Sequence, residues 1–152
     1  MAIIVVKEDP QGLDARVLRD ELSASLATLT GYSGQLRYTI EDFLSPRGCF
    51  LLARAPGGEA LGFGAFRRHA YGVAEICQLY VRPKALGAGL SILQGLETRA
   101  MVAGYRQLIL ETRAANHRAV RFCERHGFKE VNTVSSLSNR PRDARCFLKQ
   151  VA

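Results

Sequence analysis

The chain has 152 residues, 47% of them hydrophobic and 23% charged, which is the usage of one ordinary globular domain and excludes a fibrous or low-complexity protein. Its formal charge of +7 favours a polyanionic ligand, but a phosphate-rich small molecule and nucleic acid satisfy that field equally, as does an Arg-rich surface that only confers solubility. The apolar run at 3–6 meets Lys7-Glu8-Asp9 and is too short for a signal segment or a membrane span, so a cytoplasmic protein with no membrane partner is expected.

β-Branched residues at 2–7 predict a first strand, broken by Pro10-Gln11-Gly12. Leu13, Val17, Leu18, Leu22, Leu26 and Leu29 recur at three- and four-residue steps and predict a helix over 13–29, capped by Gly31. Residues 31–48 are turn-rich, with a short helix expected around 37–44. The run 49–54, the turn Pro56-Gly57-Gly58-Glu59 and the run 60–68 predict a β-hairpin. A further strand over 73–82 is stopped by Pro83. After a glycine-bearing loop, Ile92, Leu93, Leu96, Ala100 and Met101 give 90–103 a helical period that Gly104 closes.

A short apolar strand follows at 107–112, then a helix over 115–125 whose buried face is assigned to Ala119, Val120, Phe122 and Cys123. His126-Gly127-Phe128 ends it, and strands at 128–134 and 144–151 flank a polar loop at 135–143. The order β-α-(α)-β-β-β-α-β-α-β-β, with no repeat or linker, describes a single α/β domain over 1–152. Cys49, Cys77, Cys123 and Cys146 form no CxxC pair and have no clustered His partners, so neither a metal site nor a redox pair is expected.

Chemistry enters where a strand ending at Pro83 passes through Lys84-Ala85-Leu86-Gly87-Ala88-Gly89-Leu90-Ser91 into a helix. Backbone N–H groups can converge there on phosphate oxygens, and the positive end of the helix favours their charge. Without Cβ atoms, Gly87 and Gly89 let the backbone approach a pyrophosphate. The segment lacks the Lys-Ser/Thr ending of a Walker A loop and the GxGxxG spacing of a dinucleotide fold. By itself Gly-x-Gly before a helix is equally a structural turn.

Its neighbours make it specific. Leu79-Tyr80-Val81-Arg82-Pro83 before the loop, and Asn116-His117-Arg118-Ala119-Val120-Arg121-Phe122-Cys123 through Gly127-Phe128 after it, resemble the core of the GNAT acyltransferase superfamily over about 74–131. The resemblance implies an α/β (α+β) fold with a central mixed, mostly antiparallel sheet, splayed at the cofactor strand and flanked by helices. It also implies direct transfer of an acetyl group from acetyl-coenzyme A to a primary amine in a ternary complex, with no metal. The family's phosphate loop, Gln/Arg-x-x-Gly-x-Gly/Ala, falls on Leu86, Gly87, Ala88, Gly89, Leu90 and Ser91. Leu86 and Ser91 depart from that pattern, so binding leans on backbone donors, with Lys84 as a candidate replacement charge. The resemblance further implies that Leu79, Tyr80 and Val81 pair through their backbone with pantetheine, that an N–H among them faces the thioester oxygen, and that Asn116 hydrogen-bonds pantetheine.

Acetyl transfer needs a neutral amine, a donor to the thioester oxygen and a proton for the leaving thiolate. Glu75, on the cofactor strand, is where similar enzymes place the base, and a surface carboxylate on a half-exposed strand is the competing reading. For the thiolate the family commonly has a Tyr where this chain has Cys123. Cys123 is either that acid or a small core residue, in which case water, Tyr80 or Tyr105 replaces it. The acceptor is expected to be a small-molecule or peptide amine: Tyr32, Tyr38, Glu41 and Asp42 suit a cationic amine, and Arg140, Arg142 and Arg145 a carboxylate. Arg113, Arg118, Arg121 and Arg125 form either a basic edge near the cofactor or a solvated face. A homodimer is compatible, because small sheets have edges to cover. Two other functions compete. One is a non-catalytic coenzyme A-binding sensor or scaffold; the other is a nucleic-acid binder, for which the chain lacks aromatic-basic interleaving, so no nucleic-acid partner is expected.

Overall fold

The computed structural model describes residues 2–30, 39–85, 87–132 and 143–151. Ile4, Val5 and Val6 build β1 (Ile4–Lys7), which runs antiparallel to β2 (Cys49–Arg54) with Ile4 opposite Arg54. The Pro56–Glu59 turn then sends the chain back as β3 (Ala60–Ala70), and a second turn at Gly72 returns it as β4 (Val73–Val81). β2, β3 and β4 thus form an antiparallel meander joined by tight turns, and β1, which residues 8–48 separate from β2, adds to its edge antiparallel. From β4 the chain crosses through α3 (Ala88–Val102) to β5 (Gln107–Arg113), which lies parallel to β4 as a right-length βαβ unit allows. After α4 (His117–Arg125) the chain forms β6 (Lys129–Val131) and β7 (Ala144–Gln150); β7 inserts between β5 and β6. The result is a seven-stranded sheet in the order β1-β2-β3-β4-β5-β7-β6, antiparallel except at β4–β5. This is the mixed, mostly antiparallel α+β architecture expected.

Helices cover both faces. On one, α3 places Ile92, Leu93, Leu96 and Ala100 fully inside a cluster with Leu51, Phe66, Ile76 and Leu108, and α4 adds Val120 and Cys123. Each large apolar side chain buried this way contributes about 1.5–3 kcal/mol. On the other face α1 (Leu13–Thr30) and the five-residue α2 (Ile40–Leu44) cover Phe50, Leu52, Phe63 and Ala65. The buried stripe of α1 is Ala15, Leu18 and Leu22, while Leu13, Val17 and Leu29, which its periodicity also suggested, are exposed. On α4 the buried positions are Val120 and Cys123, with Ala119 and Phe122 only half covered. Helix starts also differ from expectation: α3 begins at Ala88 because Gly87 caps it, and α4 begins at His117 because Asn116 does. Neither cap is a strong periodic signal, so the apolar pattern alone placed both starts elsewhere.

Candidate active site

The β4–β5 pair holds only where residues 73–76 face 107–110. Beyond Ile76 and Leu110 the strands part, β4 staying with β3 as far as Val81 and β5 with β7 as far as Arg113. The parting coincides with a β-bulge: Phe66 pairs with Ile76 and Ala65 with Gln78, leaving Cys77 as the extra residue. A bulge adds local twist and bends its strand, and here the bend turns β4 away from its parallel neighbour. The second half of β4, which includes Leu79, Tyr80 and Val81, therefore presents one side of its backbone to a wedge. Both strands of the wedge lead into helices, and the N-termini of α3 and α4 stand at its mouth, the place where open α/β sheets bind ligands.

Gly87 caps α3 with φ +84, a left-handed conformation that costs an L-residue with a side chain about 1–2 kcal/mol. No acidic residue lies in the first turn of α3, and no side chain caps it. The Ala88 N–H donates to the Ala85 carbonyl and the Ser91 N–H to Gly87. Gly89 and Leu90 occupy the second and third helical positions, whose N–H groups have no intrahelical acceptor. An anion at the mouth would meet those amides and the helix dipole together. Gly89 has a second reason to be glycine: a Cβ there would stand 3.1 Å from Phe122 Cε1, so its absence lets α3 abut α4. The residues present thus fit a pyrophosphate. Lys84 is exposed in the preceding turn, and Leu86 lies outside the described residues.

Asn116 caps α4, its Oδ1 accepting the Ala119 N–H at 3.2 Å. The carbonyl end of this side chain is thereby used by the fold, and its amide nitrogen keeps its two donors. On the face toward α1, the Tyr80 hydroxyl donates to Glu21 Oε1 at 3.0 Å, and Arg82 grips the same carboxylate through Nη2 at 2.8 Å. Burial and the Glu21 hydrogen bond push the Tyr80 phenol above the usual tyrosine range. The Arg82 hydrogen bond holds Glu21 below the usual carboxylate range.

Glu75 is 1% exposed, which overturns the reading of a surface carboxylate. It faces Arg67 across β3, Oε1 lying 3.4 Å from Arg67 Nε, and Arg67 also reaches Asp42 on α2 at 3.3 Å. A buried carboxylate is tolerated only with such a partner. Asp42 is thus in an ion pair, while Tyr32, Tyr38, Arg140 and Arg142 lie outside the described residues. Arg145 pairs with Glu130 and Arg113 with Asp143, whereas Arg118 and Arg121 are exposed on α4.

Cys123 is wholly buried in the α3-side core, where burial, with a smaller push from Glu124, raises its thiol to about 12. Tyr105 is excluded as its substitute by position. It precedes β5, whose first residue pairs with the first residue of β4, so it sits at the far end of the sheet, donating to the Arg47 carbonyl at 2.7 Å. The sequence alone assigned no role to Glu21, Arg67, Gln78 or Arg82; only the strand register and the helix packing set Arg67 beside Glu75 and Glu21 beside Tyr80 and Arg82. A recess of about 540 Å³ lined by Gln94, Glu97, Thr98, Met101, Gln150 and Val151 lies at that same far end, away from this chemistry. Among the described residues no three His, Cys, Asp or Glu side chains group to hold a metal, and no helix is long and apolar enough to cross a membrane.

Residues 18–128 match the model of the acetyltransferase (GNAT) family. No curated protein matches by sequence. Solved structures share the fold over nearly the whole chain. A Klebsiella pneumoniae protein provisionally classed as an acyl-CoA N-acyltransferase is 23% identical with a TM-score of 0.81, covering 99% of this chain and 98% of its own. A GNAT-family acetyltransferase of Staphylococcus aureus is 16% identical with a TM-score of 0.76, covering 99% and 100%. The PaiA N-acetyltransferase of Thermoplasma acidophilum, in complex with coenzyme A, is 21% identical with a TM-score of 0.74, covering 99% of each chain. At these identities the neighbours speak for the fold, and the family match speaks for descent. Because the matched span covers well over half of the chain and holds both parted strands with the helix that follows each, this protein belongs to the GNAT acetyltransferase family.

Proposed function

We propose that the protein transfers an acetyl group from acetyl-coenzyme A directly to a primary amine. The observation that carries this reading is the parting of β4 from β5 beyond Ile76 and Leu110, beneath the Gly87 cap of α3. The amides of Gly89 and Leu90, at helical positions with no intrahelical acceptor, hold the pyrophosphate beside Gly87, with Lys84 adding charge, while those of Ala88 and Ser91 donate within the fold. The open backbone of Leu79, Tyr80 and Val81 takes pantetheine as an added strand would, with Asn116 donating through its amide nitrogen. An N–H on that edge faces the thioester oxygen, whose charge grows as the amine attacks.

The bound thioester supplies an activated acetyl group. Glu75 takes the proton of the amine, directly or through a water, the C–N bond forms, the C–S bond breaks, and the thiolate takes its proton from solvent. Cys123 acts as a packing residue in this scheme: a thiol sealed in the core with a raised pKa is a poor donor to a cofactor in the wedge. Tyr80 is held by Glu21 and orders the α1 face. Burial of Glu75 in an ion pair, together with Cys123 in place of Tyr, favours a second reading in which the domain binds coenzyme A without turnover.

Two measurements test these readings. Isothermal titration should register coenzyme A binding to the wild type and to Glu75→Gln alike, and no heat with either sinks both readings. Acetyl-coenzyme A-dependent thiol release across an amine panel should fall by about 10²–10⁴ in Glu75→Gln. Binding with no release in the wild type leaves the non-catalytic module.

A further inference from the structure

Gln78 occupies the β4 bulge and is 7% exposed, yet its Oε1 is buried with no hydrogen-bond partner among the described residues. Buried polar side chains are nearly always paired, and an unpaired one carries a cost comparable to a lost hydrogen bond. A residue present for packing alone would do better as Met or Leu. The orientation of Gln78 follows from its register. It lies opposite Ala65, whose side chain packs beneath α1 and α2, and cross-strand neighbours share a face. Glu75 lies opposite Arg67 on that same face. Ala65 and Arg67 are two residues apart on β3, so the Glu75 and Gln78 backbones stand about 7 Å apart along the sheet. One side chain offers a carboxylate, the other a neutral acceptor, side by side where β4 leaves β5.

We infer that Gln78 is a specificity-determining residue of the acceptor subsite. Its carboxamide oxygen accepts a hydrogen bond from a hydroxyl or amide N–H that the acceptor carries a few bonds from its reacting amine. The acceptor class is therefore amines bearing a neutral donor, amino alcohols among them, rather than plain alkylamines. A second ammonium fits less well, because an amide oxygen cannot compensate a buried charge. This inference rests on the acetyl-transfer reading, with Glu75 at the reacting nitrogen.

The test compares wild type with Gln78→Met, using 3-amino-1-propanol and n-butylamine, which differ by a hydroxyl in place of a methyl. Three readouts are taken. In kcat/KM the wild type should prefer the amino alcohol by about ten-fold or more, and the variant should treat the two within about two-fold while its KM for acetyl-coenzyme A stays unchanged. A wild type that does not discriminate, or a preference that survives in the variant, overturns the inference. In thermal melting without ligand the variant should melt no lower than wild type, since it loses an unpaired buried oxygen. A fall of more than about 3 °C shows Gln78 to be structural and overturns it as well. Coenzyme A should raise the melting temperature of both proteins. If it raises neither, the acetyl-transfer reading fails and the Gln78 inference falls with it, whereas a rise in both without amine discrimination overturns the inference alone.

Discussion

Single residues in this site are explained by what touches them. Glu75 lies on a strand whose apolar neighbours Ala74 and Ile76 face α3, so it turns to the opposite face and meets Arg67, which pairs with it and with Asp42. Its position on the strand before the glycine loop was legible in the sequence. Its burial was not, because an isolated Glu in a strand is indistinguishable from a surface carboxylate until its cross-strand partner is known. Cys123 shows the reverse: its place on an apolar helix stripe suggested a core residue, and it is one. Cys123→Ala should lower stability by about 1 kcal/mol, through loss of a small buried side chain, and leave kcat within about two-fold of wild type. Denaturant melts and thiol-release rates check this, and a kcat lower by ten-fold or more would restore Cys123 as the acid.

At the scale of elements, the start of α3 unites two demands. A helix N-terminus is stabilised by a carboxylate in its first turn, yet α3 has none and places the exposed Leu90 there. Leu90→Glu should therefore stabilise the free protein by about 0.3–1 kcal/mol. The same charge should weaken coenzyme A binding by about ten-fold or more, because it competes with the pyrophosphate for the helix end. Urea melts and calorimetry separate the two effects, and unchanged affinity would remove the α3 terminus from the cofactor site. The turn that Gly87 makes before this helix was legible in the sequence. What the sequence did not disclose is that Gly89 also admits Phe122 of α4, since no local pattern links residues 33 positions apart. The N-cap role of Asn116 was missed for a related reason: periodic apolar residues locate a helix body better than its ends.

For the whole molecule, the formal charge of +7 bears on association with a polyanion. Coenzyme A affinity should fall by about five-fold or more between 0.1 M and 1 M salt, as the Debye length shrinks from about 10 to about 3 Å. Calorimetry at the two salt concentrations measures it, and a salt-independent constant would mean that binding rests on backbone and apolar contacts alone. Turn residues and strand runs by themselves determined the order of elements, and the motifs at 79–91 and 116–128 carried the resemblance to the family, because those features are local in the chain. Tertiary structure alone decided where β4 and β5 part, which face the Cys77 bulge turns toward α1, and which side chains meet there. Those outcomes depend on register and packing between strands and helices distant in sequence, and a residue's own neighbours along the chain do not encode them.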